Sequence, residues 1–124
     1  MNTNELIKYM ANTLNRLYIC RNNSSGMVRT NIYNAILYYK RMLIKNDCIL
    51  AYTDNDDIKL SNKALSDTLF YIASDIQYFN SLFNDDDLVN AWWYVCLAKN
   101  ELDMNNSKVN GTSRKKVMNN KVIE

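Results

Sequence analysis

The chain contains no histidine and no proline, and only two of its 124 residues are glycine. Without histidine it lacks the side chain that most often serves as a general base or a metal ligand near neutral pH. Gly26 and Gly111 stand far apart, so no glycine-rich loop is present to bind phosphate. These absences argue against an enzyme and a nucleotide-binding protein.

Long apolar runs are also missing. The longest, residues 91–98, is far shorter than the run of about 20 residues that a membrane-spanning helix needs. The first residues lack the basic and apolar segments of a secretory signal. The three cysteines are an odd number at distant positions, as in reduced proteins of the cytoplasm. We therefore expect a cytoplasmic protein with no membrane partner.

One acidic segment invites a metal-binding interpretation. Residues 54–57 resemble the start of a calcium loop, but Lys59 and Leu65 occupy the positions where such a loop requires glycine and glutamate. No other spacing suits a metal ion or a cofactor. Neither is therefore predicted.

Helical periodicity is the strongest positive signal. Large apolar residues recur at alternating gaps of four and three in one segment: Leu65, Leu69, Ile72, Ile76, Phe79 and Phe83. At about 100° per residue, they share one side of a helix over residues 62–83. Similar spacing predicts helices at about 4–21, 27–46 and 86–104. Four such helices favour an all-α, antiparallel four-helix bundle.

Two segments depart from this pattern. Residues 48–61 place strand-forming residues around an acidic turn, which predicts either a small β-hairpin or an irregular connection. From residue 105 the chain is polar and rich in asparagine. We therefore predict one helical domain, residues 1–104, followed by a basic tail, residues 105–124. The tail is either flexible or a fifth short helix docked on the bundle.

Charge is segregated along the chain although the net charge is only +2. Residues 1–46 carry +6, residues 47–104 carry −8 and residues 105–124 carry +4. In one interpretation the basic and acidic helices pair within the bundle. In another, the second helix and the tail bind nucleic acid, because basic side chains hold phosphates and tyrosine stacks on bases. The residues predicted for that role are Arg29, Tyr38, Arg41, Lys45, Arg114, Lys115 and Lys116.

The fourth predicted helix is apolar on more than one side. Its core stripe runs from Leu88 to Leu102, yet Trp93 and Leu97 lie on the opposite side with Tyr94 between the two faces. Such a helix is either buried all round or shared with a partner. Because tryptophan and tyrosine dominate binding hot spots, Trp93, Tyr94 and Leu97 are the predicted partner-binding residues.

The overall composition carries one further hint. Asparagine, isoleucine, lysine and tyrosine supply 49 of the 124 residues, a bias typical of AT-rich genomes. In composition, size and lack of catalytic residues, the chain resembles small helical accessory proteins of phages and mobile elements, among them anti-CRISPR inhibitors of host defence. The resemblance implies a non-enzymatic protein that binds another protein, such as a host factor, or a second copy of itself. The alternative is the nucleic-acid-binding bundle.

Overall fold

The described part of the chain consists of four α-helices. In a computed structural model, residues 1–48 and 57–118 are described, with side chains as far as residue 107. The helices are α1 (Thr3–Asn22), α2 (Gly26–Lys45), α3 (Asn62–Phe83) and α4 (Asp86–Met118). No strand occurs in these residues. The predicted all-α helical bundle is confirmed.

The helices pack in a ring, in the order α1, α2, α4, α3. Lys45 at the end of α2 bonds to Asp85 just before α4, so these two neighbours are antiparallel. Tyr9 near the start of α1 packs on Phe79 near the end of α3, so this pair is antiparallel as well. The short connection from Asn22 to Gly26 makes α1 and α2 antiparallel too, so α2 and α3, which lie diagonally across the ring, point the same way. The connection over residues 46–61 therefore joins opposite ends of the bundle, as crossover connections do in other bundles.

The core is built from the periodic residues of each helix. On α3, the residues from Leu65 to Phe79 in the predicted stripe are at most 1% exposed, and Phe83 is half-buried at the helix end. On α2, the apolar face expected from the spacing is the face that is buried: Val28, Ile32, Ala35, Ile36, Tyr39, Met42 and Leu43. Burial of each large side chain contributes about 1.5–3 kcal/mol to folding. Packing of these stripes therefore holds the bundle together.

The helix ends follow local sequence signals. Asn2 caps α1 by accepting the Glu5 N–H at 2.8 Å, and the Glu5 carboxylate accepts the Asn2 N–H at 3.0 Å. This reciprocal pair is a capping box. Gly26, at the start of α2, has φ +59°, a left-handed conformation that other residues adopt only at a cost. It allows a three-residue connection between α1 and α2.

The fourth helix is longer than its pattern indicates. The prediction that it ends near Met104 is wrong, because α4 continues to Met118. Asparagine and serine cost a helix less than about 0.7 kcal/mol each, and no proline stops it. No separate fifth helix occurs in the described residues, since residues 105–118 continue α4. The division into a domain and a tail stays a prediction, and most of the predicted hairpin lies outside the described residues.

Candidate protein-interaction surface

The two sets of candidate residues predicted from the sequence meet where α2 packs on α4. The rings of Tyr38 on α2 and Tyr94 on α4 are stacked, with centroids 5.8 Å apart and planes 13° from parallel. The Arg41 guanidinium lies over the Tyr38 ring, 5.6 Å from its centroid. Trp93 and Leu97 flank Tyr94 on the outer side of α4. We call this set, Tyr38, Arg41, Trp93, Tyr94 and Leu97, the α2–α4 surface.

Trp93 is the most exposed member of the α4 half. Its exposed fraction is 55%, whereas Tyr94 and Leu97 are half-buried. The interpretation that Trp93 is an ordinary core residue is therefore wrong. Val89, one helical turn before Trp93, is 46% exposed and extends the apolar strip. Sequence analysis missed Val89, although its spacing of four residues from Trp93 was a usable signal.

A small cavity opens beside this strip, between α3 and α4. It has a volume of about 120 Å³ and is lined by Ile76, Gln77, Asn80, Leu88, Val89 and Trp92. Apolar side chains form most of its wall, and two side-chain amides supply hydrogen-bonding groups. The cavity is large enough for one side chain rather than for a cofactor.

Charged residues fix the same two helices at one end of the surface. The Lys45 Nζ lies 2.8 Å from an Asp85 carboxylate oxygen and 2.9 Å from an Asp87 oxygen. Asn46 donates to the other Asp85 oxygen at 3.2 Å, and the Arg41 Nε lies 3.8 Å from Asp87. The two aspartate side chains are only 7% and 9% exposed. The basic second helix therefore pairs with the acidic start of the fourth, which is part of the pairing that one interpretation of the charges expected.

The pKa of Asp85 shows that these contacts favour its ionised form. Burial by itself favours the neutral acid and would raise the pKa. Hydrogen bonds from Lys45, the Asp87 backbone N–H and Asn46 outweigh burial and lower the pKa of Asp85 below its usual range. The same bonds to Asp85 and Asp87 raise the pKa of Lys45. The buried carboxylate is therefore held in its charged form.

The residues predicted for nucleic-acid binding are only partly brought together. Tyr38, Arg41 and Lys45 lie close to one another, but each already contacts α4 or the residue just before it. Arg29 is exposed on another side of α2, about 120° around the helix from Arg41. Residues 114–116 belong to the distal part of α4, far along the chain from these groups. The side chains of that distal part are outside the described set.

A second polar cluster lies on the opposite side of the ring, between α1 and α3. The Tyr9 hydroxyl donates to Asp75, and the Arg16 guanidinium pairs with the same carboxylate. The hydrogen bond to Asp75 is the largest cause that raises the pKa of Tyr9 to about 12, followed by burial. Sequence spacing gave no sign of this cluster, because Asp75 is 59 and 66 residues from its partners. It clamps α1 to α3.

Neither region offers an arrangement typical of catalysis or metal binding. Within the described residues, no three side chains of the metal-ligating kinds come together. The Cys20 thiol is buried, and burial raises its pKa to about 12, so it is not activated as a nucleophile. The groups that the α2–α4 surface does present are aromatic rings, apolar side chains and one guanidinium. These suit recognition of another macromolecule.

Comparisons with protein-family models, with curated proteins and with solved structures find no match to this chain. Across the described helices, none combines the length and apolarity required to cross a membrane. Function is therefore inferred from the α2–α4 surface itself.

Proposed function

We propose that this protein is a non-enzymatic interaction module that binds another protein through the α2–α4 surface. The observation that carries the proposal is the exposure of Trp93 beside the Tyr38–Tyr94 stack. Tryptophan, tyrosine and arginine are the residue types most enriched at binding hot spots, and here they adjoin one another. Stacking restricts the two tyrosine rings before binding, which reduces the entropy lost on association.

The biological role proposed with it is that of a phage or mobile-element accessory protein. In this role the chain acts in the cytoplasm of the producing or host cell and blocks a host factor by occupying its surface, as an anti-CRISPR protein does. The composition, with its bias toward the codons of AT-rich genomes, supports this role. It requires no cofactor and no turnover.

Capture of a partner by the full chain tests the proposal. Trp93→Ala and Leu97→Ala should each weaken binding of the captured protein, by about tenfold or more for Trp93→Ala, because hot-spot truncations cost more than about 1.4 kcal/mol. Phe70→Ala is the matched control, since Phe70 on α3 is 54% exposed, against 55% for Trp93. It should leave binding unchanged. Affinity is measured by calorimetry, and circular dichroism checks the fold of each variant.

Two results would remove this assignment. If Trp93→Ala lowered the melting temperature while the folded fraction bound as the parent does, Trp93 would be a structural residue. If the captured material were lost after nuclease treatment and the purified chain bound DNA with a steep salt dependence, the nucleic-acid alternative would replace the protein partner. The present geometry favours a protein, because Lys45 already binds two aspartates.

A further inference from the structure

The two helices of the α2–α4 surface carry opposite charge. Helix α2 holds four basic residues and no acidic residue over Gly26–Lys45. The part of α4 up to residue 107 holds Asp86, Asp87, Glu101 and Asp103 against Lys99 alone. Some of these charges are satisfied internally, as in the Lys99–Asp103 pair at 2.6 Å. The surface therefore has a basic half and an acidic half, side by side.

Several charged side chains on the two halves form only a weak ion pair, or none, with other described residues. The Arg41 side chain is 68% exposed, and its only ion pair among the described residues is the long 3.8 Å contact with Asp87. Asp86 is exposed and Glu101 is half-buried. Neither of these two carboxylates forms an ion pair with another described residue. Each half thus retains charge with which to attract the opposite half of another molecule.

We propose that the α2–α4 surface binds a second copy of the chain, with a two-fold axis parallel to the helices. This axis places α2 of each copy against α4 of the other at the same height. Lys45 bonds to Asp85 and Asp87, so Asp86 lies level with the end of α2, and Arg41 is one turn away. Arg41 of each copy then approaches Asp86 of the other, and Trp93 and Leu97 pack near the centre.

Charge selects this arrangement over the other face-to-face dimer. With the two-fold axis perpendicular to the helices, α2 would pack on α2, so that Arg41 and Lys45 of each copy would face another basic helix rather than Asp86. Like-charge juxtaposition disfavours such a partner. The parallel axis brings unlike charges together twice, once on each side of the axis, as required of a self-complementary interface.

The size of the surface indicates a dimer that dissociates on dilution. Two helices about 30 Å long and packed 8–10 Å apart present a footprint of roughly 600 Å². This is below the value of about 800 Å² per partner that is typical of stable complexes. The inference rests on the surface that the proposed function uses, so a target protein and a second copy compete for it.

Charge reversal tests the dimer in the full chain. Arg41→Glu and Asp86→Lys should each shift the monomer–dimer equilibrium toward monomer by about tenfold or more, measured by sedimentation velocity over a concentration series. An equimolar mixture of the two variants should recover a dimer. In that mixed dimer the introduced glutamate faces the introduced lysine on one side of the axis, and the unchanged Arg41 faces the unchanged Asp86 on the other. Arg29→Glu, the same charge change on another side of α2, should sediment like the parent.

The outcomes separate this inference from the proposed function. A parent chain that stays monomeric at all concentrations, while Trp93→Ala still weakens target capture, overturns the dimer alone. A dimer that neither charge reversal weakens also overturns the arrangement. If Asp86→Lys loses helicity, Asp86→Asn replaces it and should weaken the dimer in the same direction. A dimer restored in the mixture supports the inference even if Trp93→Ala leaves capture unchanged, which would reject only the proposed function.

Discussion

At the residue scale, Asp85 connects the end of α2 with the start of α4. Its Oδ1 accepts the Asp87 N–H at 2.8 Å, which caps α4. The same carboxylate receives hydrogen bonds from Lys45 and Asn46 on the α2 side. Aspartate is a residue type favoured at this position, and residues 85–87 are three consecutive aspartates. The partners of Asp85, 39 and 40 residues earlier, were beyond any local signal.

Removal of this carboxylate should cost measurable stability. Asp85→Ala eliminates the cap and leaves two donors of the α2 end without their acceptor, so we expect a decrease of about 1–2 kcal/mol in the free energy of unfolding. Asp85→Asn keeps a capping oxygen and should cost less. Chemical denaturation of both variants measures the difference. Equal losses for the two would show that the cap contributes nothing beyond the charge.

Acid should destabilise the protein through its depressed carboxyl pKa values. For both Asp85 and Asp103, burial opposes ionisation, but hydrogen bonds from Lys45 and Lys99, respectively, help to lower the pKa below 3.8. A carboxyl group whose pKa is lower in the folded state than in the unfolded state stabilises the fold at pH values above its unfolded-state pKa. This stabilisation is lost as the pH falls through its folded-state pKa. We expect the free energy of unfolding to fall below about pH 4.

Denaturant titrations at a series of pH values measure this loss. The Asp85→Asn/Asp103→Asn variant is the control, because it removes both shifted groups. Its free energy of unfolding should depend less on pH in the acid range than that of the parent. An identical acid dependence in parent and variant would assign the effect to other carboxylates.

At the element scale, two serine caps offer a matched comparison. Ser61 precedes α3 and accepts the Ala64 N–H at 3.1 Å, whereas Ser25 precedes α2 and its side chain accepts no capping hydrogen bond. Ser61→Ala should lower the free energy of unfolding by about 1 kcal/mol, and Ser25→Ala should change it by less than half as much. Thermal or chemical unfolding measures both. Equal losses would contradict the assignment of the caps.

Sequence periodicity predicted the helices well because the signal is local. The α2 face from Val28 to Leu43 and the α4 stripe from Leu88 to Leu102 are buried as expected. The period disappears after Met104, and with it the information that α4 continues. An exposed polar helix needs no apolar stripe, so its end cannot be read from spacing.

The sequence predicted the individual residues of the candidate surface, but not that those on the second helix lie beside those on the fourth. The sequence identified Trp93, Tyr94 and Leu97 as one group, and Tyr38 and Arg41 as members of another. Which helices are neighbours in a bundle depends on the whole ring, and one periodic stripe does not specify the order. The opposite charges of the second and fourth helices were the available hint, and the Lys45 contacts with Asp85 and Asp87 bear it out.

At the scale of the whole molecule, α4 is longer than the other three helices of the ring. The 33 residues of α4 span about 50 Å, against about 30 Å for the 20 residues of α2. Leu102 is the last buried core residue among the side chains described, and it helps to line a cavity beside Val28 and Leu65 at the end of the bundle. Among the side chains described, the core contacts of α4 thus end at about this residue.

Truncation tests whether the domain ends where the core does. A chain of residues 1–107 retains Leu102 and every described core contact, so its melting temperature should stay within about 4 °C of the parent's, less than a loss of 1 kcal/mol would produce. A chain of residues 1–98 removes Leu102 and should melt clearly lower. Circular dichroism melts measure both. If residues 1–107 melted as low as residues 1–98, the distal part of α4 would belong to the domain, and the predicted boundary near residue 104 would be wrong.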